Sequence, residues 1–530
     1  MTKPYKKEEK KYLFLDALSI KKKNLESFLK SKPWPVSEKV FFQLTNFVYD
    51  EYIKELKKLD QKAYKIALIE MRFLPQLINI FHYNYIKNFA NKNKYNCIYS
   101  KSAEQFLNPN WDEIANAYQN FKYPYNKLQR IARKLIKLIY FNRHLSVIGI
   151  INGIFSVKEN ISLGSFDKIK QDYIKKTNKF FLHIEWIDLI NKANFAFNKK
   201  KANKKISINI INKILKKLKN KPSLNFFIKG LNVNEINLVS KKRLKSISII
   251  YDYLSELKEP KSIILTESAK PFHKIISTVF LSKGAKVVNF SHGNDLGLVH
   301  QKWLQSYLYA QAGNYCFENN KICNIFEKTA LSLPLAYKEK TNFFSINTNI
   351  GLTRQNIIYP KIRKNKIKKV MVMGYPMNST RYTDEVYCYF HYRLKLLIFI
   401  LKQLKILGYY TIYKGHPERV LELGDLMDDY TDKCNDQKFE QVWHEADAFI
   451  FTYCTTTTFG FALTTPLPIV LINENSTNWN FQRKLQIEKR IHILDYSFNN
   501  NKYIGLNNTN LNNGLQSATN KVPLNKIRGF

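Results

Sequence analysis

Two kinds of hydrophobic pattern divide the chain. Through the first 230 residues the apolar positions recur mostly at helical spacing, among many aromatic and lysine residues. Short apolar runs at Lys11–Asp16 (KYLFLD) and Tyr95–Tyr99 (YNCIY) predict two strands there, and no internal repeat is visible. From Ser262 the pattern sharpens. SIILTES predicts a buried strand, AKPFHKIISTVFLSKG a helix ending at Gly284, and KVVNFSHGND a second strand running into a loop. A unit of this size implies parallel strands joined by a crossover helix.

A polar stretch from Thr341 to Asn356 and the basic run KIRKNKIKK precede a second region of the same kind. It reads as strand Lys369–Met373, a Gly-Tyr-Pro loop at Gly374–Pro376, and a long helix from about Val386 to Leu407 stopped by Gly408. Strand Tyr410–Tyr413 then leads into KGHPER, and a helix around Phe439–Ala446 precedes strand Ala448–Tyr453. Thr455 to Leu463 (TTTTFGFAL) opens a further helix, and strand Pro468–Ile472 meets NENS. Alternating strands and helices predict an α/β fold with doubly wound domains. We expect an N-terminal domain over residues 1–340 carrying helical additions, a C-terminal domain over 345–500, and a polar Asn-rich tail over 501–530.

Composition narrows the class. With 45% hydrophobic and 24% charged residues the chain has globular composition, and Gly 17 with Pro 16 excludes collagen-like or proline-rich disorder. The longest apolar candidate, HLSVIGIINGIF from His144 to Phe155, falls short of the roughly 18 residues of a spanning helix and reads as buried core. Six scattered cysteines form neither a zinc pattern nor a disulfide framework, and with no apolar signal region the expected compartment is the cytoplasm. No metal site is expected.

The formal net charge of +43 invites a nucleic-acid or anionic-membrane partner, but only 13 of the 85 basic residues are Arg, the residue suited to base and bidentate phosphate recognition. The signatures of common nucleic-acid-binding modules are missing, so a basic nucleic-acid-binding protein is the alternative from another class. INKILKKLKNK, within the lysine-rich stretch from Lys199 to Lys221, predicts a basic amphipathic helix: either a solvated face or a dock for an anionic cytoplasmic leaflet.

The distinctive residues follow the carboxyl ends of predicted strands, where doubly wound domains bind ligands. Lys414 and His416 can present donors to a phosphate, with Gly415 and Pro417 shaping the turn; the same residues also suit an ordinary strand-to-helix turn. Thr455, Thr456, Thr457 and Thr458 open a helix. One hydroxyl suffices as a cap, and the others add to an anion site built from helix N–H groups. His292 with Asp295 and, separately, Glu267 supply base candidates at strand ends, or simply loop residues. Glu474 is placed to accept ribose hydroxyls, and Gly374 and Arg381 complete the expected nucleotide site.

The order of these features, HG, then a basic residue before HP, then a Ser/Thr cluster about 40 residues later, resembles bacterial surface-polysaccharide glycosyltransferases of the GT-B architecture. The likeness covers roughly Ser262 to Leu494 and is nearest to families using CMP-activated sugars, the sialyltransferases and capsule Kdo transferases. CDP-glycerol glycerophosphotransferases of teichoic-acid synthesis share related features. The resemblance implies two Rossmann-type domains facing a cleft, with His416 and Pro417 on the cytidine nucleotide, Thr455 to Thr458 on its phosphate, and His292 and Gly293 as the HG of the first domain. The acidic pair with glycine that holds the base in some sialyltransferases has no clear counterpart. It further implies an inverting, metal-independent transfer of Kdo or a sialic-acid-like sugar to a lipid-linked or growing glycan. The donor is a substrate and no resident cofactor is expected. The implied setting is peripheral, at the cytoplasmic face of the inner membrane.

Overall fold

The computed structural model describes residues 11–22, 25–31, 34–119, 121, 125–155, 159–165, 167–200, 208–266, 270–291, 296–300, 302–310, 313–335, 341–346, 366–375, 377, 390–415, 425–475, 477–499, 502–524 and 527. The protein is α/β. Near the start, β1 (Tyr12–Phe14) pairs in parallel with β2 (Asn96–Ile98), inside the two runs expected as strands. Long helices, among them Glu38–Leu56 and Leu74–Lys92, fill the sequence between them.

The first large sheet is all parallel. It comprises β3 (Asn160–Leu163), β4 (Leu182–His183), β5 (Ser262–Thr266), β6 (Lys286–Phe290), β7 (Asn314–Phe317) and β8 (Asn342–Ser345), in the order β4-β3-β5-β6-β7-β8. Two of its strands precede Ser262, so the helical N-terminal half contributes to this sheet instead of only decorating it. Because β8 belongs here, the first sheet runs past the expected boundary at 340.

The second sheet follows with β9 (Lys369–Met373), β10 (Tyr410–Lys414), β11 (Lys433–Asn435), β12 (Ala448–Phe451), β13 (Ile469–Glu474), β14 (His492–Asn499) and β15 (Lys502–Ile504). Its order is β11-β10-β9-β12-β13-β14-β15, parallel except for the last pair. Counted from β9, the parallel strands run 3-2-1-4-5-6, so the chain reverses its direction of winding between β9 and β12. Both faces are buried: Val370 and Val372 join one apolar cluster, Met371 and Met373 another. That is why the strands read as continuous apolar runs.

Two further expectations change. The Asn-rich segment expected as a tail contributes β15 and the helix Asn508–Ala518, whose Leu511, Leu515 and Ala518 are buried in the core of the second unit. The amphipathic helix Ile210–Lys219 forms, but Ile210, Ile211, Ile214, Leu215 and Leu218 are buried, and Lys213 and Lys217 pair with Glu55 and Glu51. Its apolar face is spent on the protein core.

The two units meet at the carboxyl ends of their strands. The segment 296–300, downstream of β6, crosses to the loop that follows β13. Asn480 N donates to Leu298 O at 2.8 Å, His300 N donates to Asn478 O at 2.9 Å, and the buried Arg483 Nε donates to Leu296 O at 2.9 Å. The N-terminal arm reaches the second unit as well. Trp34 and Phe28 pack on Phe390 and His391, and Trp34 Nε1 donates to His82 Nε2 at 2.9 Å. Burial drives His391 well below the usual imidazole range, so it packs there as a neutral ring.

Candidate functional site

The crevice between β9 and β12 is framed by residues that leave those strands. Gly374 follows β9, and its N–H donates to Lys414 O at 2.9 Å. A Cβ at this position would stand 2.9 Å from that carbonyl and 2.5 Å from the Tyr413 hydroxyl, so only glycine lets the ends of β9 and β10 approach this closely. Lys414 ends β10 beside it, buried, with Nζ donating to Gly415 O. Burial lowers its pKa to about 8, with Asp436 and Glu440 opposing.

On the other side of the crevice, β12 runs through Thr452 and Tyr453 into the threonine run. Thr456 is the N-cap of the helix Thr457–Thr464, its hydroxyl accepting from Phe459 N at 3.0 Å. Capping therefore accounts for one hydroxyl of the four. The opposite end of this helix is clamped by the fully buried Arg490. Its Nε donates to Leu463 O at 2.9 Å, and its Nη2 to Thr465 O at 2.7 Å and Leu467 O at 3.0 Å. A cation on the terminal carbonyls fixes the helix and complements its dipole.

The hydroxyls of Thr452 and Thr455 are both buried and find no hydrogen-bond partner among the described residues. Buried polar atoms are nearly always paired, so two orphans within four residues at a strand end leave hydrogen-bonding capacity at this edge.

A residue not singled out in the sequence binds the rim together. Arg393, buried on the helix Phe390–Ile406, donates from Nη1 to Thr452 O at 2.8 Å. Its Nη2 lies 4.0 Å from Glu474, and its guanidinium sits 5.6 Å from the Tyr375 ring centre. Arg393 thus ties the ends of β12 and β13 to the loop after β9. Glu474, expected as a ribose acceptor, has this cation as a neighbour.

At the same edge of the first sheet, Glu318 directly follows β7 and is buried. Desolvation by burial raises its pKa from 4.5 to about 7. Ser291, which leads into the HG segment, is held beside that strand by its N–H donating to Cys316 O at 3.1 Å. Unlike the buried Glu70, which Arg243 pairs, Glu318 owes its shift to burial alone, and burial is not written in a local pattern.

Of the expected site residues, Gly374, Lys414, Thr455, Thr456, Thr457, Thr458 and Glu474 lie at the carboxyl edge of the second sheet, with Lys414 and the threonines flanking β9. Glu267, His292, Gly293, Asp295, Arg381, His416 and Pro417 lie outside the described residues. A surface groove lined by Gln43, Asp50, Glu51 and Lys221 sits on the helix Glu38–Leu56, away from both strand edges. No protein-family model and no curated protein matches the chain in sequence.

Proposed function

We propose that the protein is a GT-B-type glycosyltransferase that moves a sugar, of Kdo or sialic-acid type, from a CMP-activated donor to a surface glycan with inversion and without a metal. The observation that carries this reading is the pair of orphan hydroxyls, Thr452 and Thr455, in the segment that joins β12 to the helix Thr457–Thr464, at the same sheet edge as the buried Lys414 two strands away. Hydroxyls, helix N–H groups and a partly desolvated ammonium together suit a phosphate monoester. They lie where the winding of the second sheet reverses, the position at which doubly wound sheets take nucleotides.

The chemistry follows as a direct displacement. A carboxylate takes the proton from the acceptor hydroxyl as that oxygen attacks the anomeric carbon. The bond from that carbon to the nucleotide phosphate breaks, and the electron pair leaves with CMP. Lys414, Thr455 and the first turn of the helix receive the charge, joined in this reading by His416. Asp295 and Glu267 remain base candidates from the sequence. Glu318 joins them because a carboxyl with a pKa of about 7 is suited to accept a proton near neutral pH. Hydrogen bonds between the segments following β6 and β13 join the two units, which is compatible with a donor held on one unit and an acceptor on the other.

Thermal unfolding of the full chain with CMP, CDP, UDP, GDP and cytidine tests the reading. A ligand present at about 100 times its Kd adds about 2.7 kcal/mol to the native state. CMP should raise the midpoint and cytidine should not. Equal shifts with cytidine and CMP, or none with any nucleotide, would remove the phosphate site on which the reading stands. A larger shift with CDP would favour glycerophosphotransfer instead.

A further inference from the structure

We propose that the helix pair Lys127–Asn142 and Val147–Phe155 docks on the surface of an anionic lipid bilayer. Both helices turn apolar side chains to solvent. In the first, Leu128, Ile131, Leu135 and Ile139 form a stripe at helical spacing with Ile136 beside it, and all are exposed, Leu128 at 78%. In the second, Val147 and Ile148 are 73% and 71% exposed, and Ile151 and Ile154 also face outward. This overturns the expectation that HLSVIGIINGIF is buried core. An apolar segment of this kind is ordinarily turned inward, and a contiguous exposed patch marks an interaction surface.

On the other side of the first helix, the exposed Lys134 pairs with Asp188 at 2.7 Å and the half-buried Lys137 pairs with Glu185, so these two cations are tied to the protein while the apolar stripe is left to solvent.

Charge selects the occupant. Between Glu113 and Glu159 the chain contains no Asp or Glu, while three of its 13 arginines fall at 130, 133 and 143. Arg133 lies 4.1 Å from the ring centre of the half-exposed Tyr125, and Arg143 lies 4.4 Å from that of Tyr140. Tyrosine and arginine at the rim of an apolar stripe suit the headgroup layer, where the ring and alkyl parts meet hydrocarbon and the charge meets phosphate. A second copy of a chain carrying +43 would bring like charges together at this face, whereas an anionic leaflet neutralises them. Among the described residues no helix is long and apolar enough to cross a membrane, and the nine residues of Val147–Phe155 are too few. The pair therefore lies in the interface. This inference does not depend on the donor or on the transferase reading.

Flotation of the full chain with vesicles tests it, comparing phosphatidylcholine alone with phosphatidylcholine containing phosphatidylglycerol. The native chain should partition onto the anionic vesicles at least about tenfold more strongly than onto the neutral ones. Leu135→Glu with Ile148→Glu should remove about tenfold or more of that binding, with the thermal midpoint unchanged because both side chains are exposed. Lys216→Gln with Lys219→Gln, on the other basic helix, should leave it within about twofold. If the double glutamate variant unfolds, Val147→Ser with Ile148→Ser carries the same test. Equal loss in the lysine variant would reduce the effect to bulk charge and overturn the proposal. So would undiminished binding by the apolar-face variants, or a native dimer that those variants turn into monomer.

Discussion

At the reversal point of the second sheet, between β9 and β12, two buried hydroxyls lack partners and a buried lysine ends the neighbouring strand. At the matching point of the first sheet, between β3 and β5, the loop groups bond within the protein, although Ser162 Oγ on β3 is buried without a hydrogen-bond partner among the described residues. Ser165 Oγ lies 3.0 Å from Thr266 Oγ1, and Lys170, fully buried, donates from Nζ to Leu163 O at 2.6 Å and to Ser165 O at 3.3 Å. His273 Nδ1 lies 3.0 Å from Thr266 O. Gly164, at φ +80°, makes the turn there, and a Cβ would stand 2.9 Å from Thr266 O. Two sheets of similar winding thus use the same position differently: in the first, Lys170 and Thr266 bond to the loop after β3, whereas in the second the hydroxyls of Thr452 and Thr455 beyond β12 stay unpaired among the described residues. Parallel topology creates the crevice, and the residues at the strand ends decide whether a ligand belongs in it.

The proposed reading puts phosphate on the second unit and proton transfer on the first, and the largest expected effect probes that division. Glu318→Gln should lower turnover by about 10² to 10⁴ while CMP affinity stays the same. Any turnover by the native chain that uses this base should rise as pH increases through about 7, where this carboxyl ionises. Full turnover in the variant would return the base to Asp295 or Glu267. The same group also makes a stability claim. Its folded pKa lies above its unfolded value of 4.5, so the native state binds the proton more tightly and native stability falls as pH rises from about 4.5 to 7. Glu318→Gln should remove that slope, worth up to about 3 kcal/mol between the limits. Urea titrations at pH 5 and pH 8 read it directly.

Next in size is the cation of the second edge. Lys414→Met keeps the buried alkyl chain and deletes the charge, and should weaken CMP binding by about 1.5–3 kcal/mol, the range for a hydrogen bond to a charged group. The lysine is depressed to about 8, so the charged form is lost as pH rises through that value and CMP affinity in the native chain should fall above it. For stability the sign is opposite to that of a paired lysine. The folded pKa lies below the unfolded 10.5, so the cost of burial applies in full below about 8 and is relieved as pH approaches 10.5. Calorimetric titration with CMP at pH 7 and pH 9 separates the native chain from the variant.

Gly164→Ala tests the closed reversal point. A side chain at positive φ, set against a backbone carbonyl, should cost about 1–3 kcal/mol of stability. CMP affinity should be unchanged, because the proposed reading puts the nucleotide on the other unit. A matching loss of CMP binding would place the ligand between β3 and β5 and reverse the comparison.

Much of the second unit was legible because each strand is a short apolar run followed by a turn residue, with a helix of clear period beyond it. Lys369–Met373 matches residue for residue, and the predicted strands at Tyr410 and Ala448 hold to within two residues. The first unit was legible only from Ser262. Its opening strand is four residues long, its neighbour β4 has two, and the helices Trp186–Lys200, Ile210–Lys219 and Val233–Glu256 separate them from β5. Local windows cannot join partners so far apart in sequence. The two basic amphipathic helices show a further limit. Lys127–Asn142 carries the same basic, helically spaced apolar pattern as Ile210–Lys219, yet only packing decides which one buries its apolar stripe. Arg393 and Glu318 escaped notice for a related reason, since their significance lies in burial and in neighbours from other strands.

The smallest effect is also the most discriminating, because it contrasts adjacent hydroxyls. Thr456 makes the cap bond to Phe459 N, so Thr456→Val should cost about 1 kcal/mol of stability. CMP affinity in that variant should change little as long as Arg490 holds the far end of the helix. Thr455 makes no hydrogen bond through its buried hydroxyl among the described residues. Thr455→Val keeps the shape and removes an unsatisfied group, so the free protein should be unchanged or slightly more stable. If that hydroxyl serves the phosphate, CMP should bind about 0.5–1.5 kcal/mol more weakly and cytidine should not. The expected result is a crossover, with one threonine read in the melting curve and its neighbour in the difference between nucleotide and nucleoside. Loss of stability in both variants, with CMP affinity intact in both, would make the run a set of caps and leave the second crevice no more a phosphate site than the first.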